Sequence, residues 1–129
     1  MPLIDHCIDR SLIHGLGVFA AEPARKGDVV WRFDPRIDIV IPEKRLADLP
    51  PHVVRSIHVR AEYQPDQRRF VLSADGDADM NHSEAANLLD HGDSATAARD
   101  ITVGDELTCD YRHALTMAFM PEGVASAMA

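Results

Sequence analysis

The sequence predicts an α+β domain that is mostly β: short strands in small sheets, with one helical insert near the middle. Three observations predict it. Brief runs of β-branched and aromatic residues recur between glycines and prolines, as in Val29-Val30-Trp31-Arg32-Phe33 and Ile37-Asp38-Ile39-Val40-Ile41. Helical spacing of apolar residues is sustained in one stretch, His52 to Tyr63. The length, 129 residues, suits one domain able to bury a core without staples.

In chain order, Leu3 to Ile8 is a candidate first strand. Ser11 to Gly17 carries two glycines around Leu16 and reads as a tight turn, with Val18-Phe19-Ala20 extended after it. Glu22 to Asp28 is turn chemistry, with Pro23 and Gly27 near its ends. Two β-rich runs follow, ended by Pro35 and Pro42. Pro42 suits the first position of a short helix over Glu43–Leu49, stopped by Pro50-Pro51. From His52 to Tyr63 an amphipathic helix is expected, with Arg55, Arg60 and Glu62 facing water. Extended character returns at Arg69–Ser73, Asn87–Leu89, Ala95–Arg99 and Glu106–Cys109. Residues 114–129 are rich in Ala and Met and read as a docking tail or a loosely held end.

Composition narrows the function classes. The net charge of -8 argues against direct nucleic-acid binding, which needs a basic face, and suits a basic protein or peptide partner. No apolar run approaches the roughly 20 residues that span a bilayer. The opening residues have neither the basic nor the apolar region of a signal peptide. Two cysteines, Cys7 and Cys109, make no disulfide framework and no four-cysteine zinc site. A reducing, cytoplasmic setting is expected, with secretion into a host cell as the alternative. The seven histidines are scattered without ligand spacing, so no metal site is predicted. Asp75-Gly76-Asp77-Ala78-Asp79 fails the calcium-loop pattern, because Met80 and Ala86 stand where that loop needs Gly and Glu. A Ser-His-Asp hydrolase lacks a Gly-x-Ser-x-Gly elbow.

Three segments carry the chemistry. Gly15-Leu16-Gly17 is by itself a turn, and is no dinucleotide fingerprint. Asn81-His82-Ser83, four residues before Asn87, is by itself a turn with a capping Asn. Gly104-Asp105-Glu106-Leu107-Thr108-Cys109-Asp110-Tyr111 is by itself a strand. In this order, with Lys26-Gly27-Asp28 after the first and a variable insert at about 42–68, the chain resembles the SET-domain family of protein lysine methyltransferases. It looks most like their small stand-alone bacterial members. Residues 1–113 would be a single SET domain, and 114–129 a tail without the zinc cluster that follows the domain in many relatives.

The resemblance implies a SET-domain fold with a C-terminal pseudoknot, and transfer of methyl from S-adenosylmethionine to a protein lysine. The Gly15, Leu16 and Gly17 backbone would line the cofactor pocket. Asn81 would hold the methionine end through its side chain, and His82 the adenine mainly through its backbone. Tyr111 would be the active-site tyrosine. Cys109 stands where many relatives carry Phe or Tyr and would line the substrate channel; Tyr63 is the other channel candidate. Glu84 and Ala86 replace the family's Cys and Pro, and Asp79-Met80 stands in place of its Arg-Phe. The lysine channel would be closed by the Leu115–Met120 tail or by a second subunit, or would stay open, so a homodimer through the tail is one expected arrangement. The alternative function is a cofactor- or peptide-binding module that has lost turnover; a third reading is methylation of a small amine.

Overall fold

A hairpin opens the fold. Strands β1 (His6–Arg10) and β2 (Leu16–Ala20) pair antiparallel, with Arg10 opposite Leu16. The turn between them closes where the Ser11 amide donates to the Gly15 carbonyl at 2.8 Å. Gly15 takes φ +48°, a conformation that a side chain disfavours. The computed structural model describes residues 1–73 and 79–114. The acidic turn at 75–78 and the tail from 115 onward, with its expected docking role, lie outside the described residues.

The remaining elements among the described residues are β3 (Val29–Arg32), β4 (Ile39–Pro42), a 3-10 helix (Glu43–Asp48), α1 (Pro51–Arg60), β5 (Glu62–Gln64), a second 3-10 helix (Pro65–Gln67), β6 (Arg69–Leu72), β7 (Asn81–His82), β8 (Leu88–Asp90), β9 (Ser94–Ala97), β10 (Glu106–Cys109) and the single turn α2 (Tyr111–Ala114). They form three small sheets, in the orders β1-β2-β10-β7, β3-β9-β8 and β4-β6-β5. The mostly β, small-sheet class expected from the sequence is the class observed.

Three boundaries differ from expectation, each for a physical reason. The middle helix ends at Arg60, and Ala61 is already extended. Tyr63, counted with the helix, instead pairs with Phe70 across β5 and β6, their rings 4.9 Å apart. Cross-strand aromatic pairing outweighs the helical spacing there. Pro42 remains in strand β4 opposite Arg69, which an edge strand tolerates, so the residues after it form a 3-10 helix without a side-chain cap. The first strand begins at His6, because the preceding residues bridge to β3 instead: the Leu3 amide donates to Val30 O at 2.8 Å.

Two apolar clusters hold the sheets. Val18, Ala20, Ala24, Val30, Met80, Leu88, Ala97, Ile101 and Leu107 join the first two sheets, with Cys109 packed at the edge. Ile57, Ala61, Tyr63 and Phe70 form the core of the insert, under Leu46, Leu49 and Val53. Gln64 and Arg69 tie the insert to the second sheet: Gln64 Nε2 donates to Asp93 at 3.1 Å, and Arg69 lies over the Phe33 ring at 5.2 Å.

Candidate active site

Strand β10 is the element that assembles the site. On one side it runs antiparallel to β2, with Glu106 opposite Phe19 and Leu107 opposite Val18. On the other it runs parallel to β7, with Thr108 opposite Asn81 and Cys109 opposite His82. By the two-residue period of a strand, Leu107 enters the apolar core while Glu106 points to the other face, toward the glycine turn and Asn81. One four-residue strand thereby brings the glycine turn, the Asn-His pair and the last motif into contact.

Asn87 fixes this crossing from beneath. It is buried, its Nδ2 donates to Glu106 O at 2.8 Å, and its Oδ1 accepts from the Thr108 amide at 2.9 Å. A side chain that both donates and accepts like a backbone unit substitutes for a strand neighbour. The loop before it, where Glu84 and Ala86 depart from the family pattern, is gripped by Arg99, which donates to Ala85 O at 3.2 Å and Ala86 O at 3.3 Å.

Asn81 is 6% exposed, and its Nδ2 faces three acceptors: His14 O and Leu16 O at 3.0 Å and Glu106 Oε2 at 2.9 Å. Two N–H bonds serve three oxygens, so one is shared. The ring of acceptors also fixes the amide orientation, since a flipped Oδ1 would face oxygens only. Oδ1 has no partner among the described residues. A ligand group meeting it must therefore be a donor.

The two glycines serve different ends. Gly15 supplies the positive φ of the turn. Gly17 makes room for a protein side chain: a Cβ there would stand 2.6 Å from Glu106 Oε2. At Gly17 the space that a side chain would take belongs to Glu106. Leu16 between them is half-exposed at 53%.

Tyr111 begins α2 directly after β10. Its hydroxyl donates to the Met80 carbonyl, next to Asn81. With its proton committed there, the phenol oxygen acts toward any other group as an acceptor. The Tyr111 amide donates to His82 Nδ1 at 3.1 Å, so that nitrogen carries no proton. Asp110 Oδ1 lies 3.8 Å from the same nitrogen, too far for a hydrogen bond, and the Asp110 carboxylate is taken by Arg112 at 2.9 and 2.5 Å. The Arg112 guanidinium is pushed above its ordinary range by that carboxylate.

The structure thus brings together Gly15, Leu16, Gly17, Asn81, His82, Cys109 and Tyr111. Tyr63 is not among them. It is buried in the insert core, its hydroxyl donating to Glu43 Oε1 at 3.1 Å. A cleft of about 670 Å³ also opens on the insert, lined by residues that include Ile39, Val53, Ile57 and Leu72. None of the assembled site residues lines it. Sequence reasoning left three contributors without roles: Glu106, Ser11 and the His82 ring. A residue-type signal existed only for Glu106, a carboxylate inside the last motif.

A model of the SET domain matches residues 15–112, and the chain belongs to that family. No curated protein matches it. Solved structures with the same fold include a candidate histone methyltransferase of Plasmodium falciparum, 20% identical with a TM-score of 0.61, covering 84% of this chain and 93% of that one. The Neurospora SET-domain protein DIM-5, a histone lysine methyltransferase, is 22% identical with a TM-score of 0.57, covering 85% of this chain and 53% of that one. An apo Polycomb Repressive Complex 2 of Chaetomium thermophilum gives a TM-score of 0.65 at 20% identity, covering 84% of this chain and 15% of that one. At these identities the likeness establishes the fold.

Proposed function

We propose that the chain is a protein-lysine N-methyltransferase that uses S-adenosylmethionine. The observation that carries the reading is the convergence on β10 of two acceptors, Asn81 Oδ1 and the lone pairs of the Tyr111 hydroxyl, with the half-exposed Leu16 on the adjoining turn. The residues fit the cofactor. Its methionine end carries an α-ammonium, a donor that suits Asn81 Oδ1, and the His14–Leu16 backbone and His82 would hold the rest. When bound, the cofactor supplies an activated methyl group on a sulfonium.

The protein's own part is alignment and environment. In-line displacement gains chiefly from holding nucleophile and methyl in register. The Tyr111 oxygen accepts from the lysine amine and orients it. It needs no role as a base. A free lysine has a pKa of about 10.4, and a site that buries it beside a cationic group favours the neutral, attacking form. The net charge of -8 gives a basic peptide a favourable approach.

Cys109 faces His82 in register and is partly buried. A thiol there leaves more room than Phe or Tyr, so di- and trimethylated products are expected; mass spectrometry finding only monomethyl-lysine would count against this.

The test is incubation with methyl-labelled S-adenosylmethionine and basic protein mixtures, wild type beside Tyr111→Phe. Label on lysine in the wild type, reduced at least about tenfold in the variant, supports an enzyme. Cofactor binding without transfer to proteins or small amines identifies a binding module instead.

A further inference from the structure

One carboxylate lies at the convergence of three segments: the 11–17 turn, β7 and β10. Glu106 Oε1 and Oε2 accept from Ser11 Oγ at 2.8 and 3.0 Å, and Oε2 accepts from Asn81 Nδ2 at 2.9 Å. Ser11 Oγ in turn accepts from the amides of Ile13 at 2.9 Å and His14 at 3.3 Å, the turn whose carbonyl at His14 also binds Asn81. Gly17 leaves the volume that the carboxylate fills. The Ser11 hydroxyl and the Asn81 amide therefore share one acceptor, the β10 carboxylate, and the turn is tied to it through Ser11 Oγ; hydrogen bonds to a carboxylate are stronger than neutral ones.

We propose that Glu106 is the positioning residue of the cofactor site: by holding Nδ2 of Asn81 and, through Ser11, the turn that supplies the other two acceptors, it keeps Asn81 Oδ1 presented to a ligand ammonium before any ligand arrives. Glu106 itself touches no ligand in this scheme. The proposal rests on the cofactor reading above and deepens it, since it assigns where the affinity for the α-amino group originates. A neutral carbonyl oxygen at the same place would hold the amide too, so Glu106→Gln keeps the function and Glu106→Ala loses it. Ser11→Ala removes the anchor of the carboxylate and leaves the Asn81 contact, so its loss is smaller.

The experiment measures affinity for S-adenosylhomocysteine and for its analogue lacking the α-amino group, by calorimetry, on the full chain. Wild type is expected to prefer the amino compound by about tenfold or more. In Glu106→Ala that preference falls to near unity, and in Glu106→Gln it is retained. A general loosening of the site would weaken both ligands in parallel and leave their ratio unchanged, so an unchanged ratio in Glu106→Ala overturns the inference alone. If Glu106→Ala does not fold, Ser11→Ala decides: a reduced ratio supports the inference and an unchanged one overturns it. Absence of binding by the wild type overturns the cofactor reading and the inference with it.

Discussion

The amide of Tyr111 donates to Nδ1 of His82 at 3.1 Å, and the two rings lie 5.3 Å apart at 51°. Because α2 is a single turn, this bond and the hydroxyl's bond to Met80 O help to aim the tyrosine. His82→Ala is expected to lower the transfer rate about tenfold or more while cofactor affinity changes by less than about threefold, since the expected adenine contact is through the backbone. Single-turnover rates set beside calorimetric affinities check this. An affinity loss as large as the rate loss would assign the ring to cofactor binding.

Asn87 donates to Glu106 O and accepts from the Thr108 amide, in the buried floor of the site. Asn87→Ala strands a buried donor and a buried acceptor, at a cost of about 2–4 kcal/mol. Asn87→Asp should do no better, because its second oxygen faces a carbonyl. Urea denaturation at constant slope reads the difference. A loss below about 0.5 kcal/mol in either variant would show that water replaces these bonds.

Tyr63 is held above the ordinary tyrosine pKa by burial first and by the Glu43 carboxylate second. The folded state therefore keeps the proton longer than the unfolded chain. The stabilisation is fully present below the unfolded value of about 10 and is lost as pH rises through the folded value. Wild type should lose stability above about pH 10 more steeply than Tyr63→Phe, measured by thermal melts. The same variant should retain methyl transfer within about twofold, because Tyr63 packs on Phe70 in the insert. Loss comparable to that of Tyr111→Phe would return Tyr63 to the substrate channel.

Much of this fold can be read from the residues. The β-branched runs, the Gly-marked turns and the order of three motifs lead to the family and to Asn81, His82 and Tyr111. What cannot be read depends on contacts distant in sequence. Tyr63 has helical spacing, yet pairing with Phe70 makes it a strand residue. Nothing local shows that the space beside Gly17 is filled by the carboxylate of residue 106, in a motif 89 positions later. Ser11 gives no sign at all, because a serine in a turn usually bonds its own backbone, and its partner is set by the register of β10 against β2.

Whether three distant segments make one S-adenosylmethionine site around Asn81 is decided by calorimetric titration of the cofactor into wild type and Asn81→Ala. Saturable one-to-one binding is expected for the wild type, weakened at least about tenfold by the substitution, in a variant whose melt still shows a folded protein. Equal affinity in the two, or no binding by a folded wild type, would refute the site.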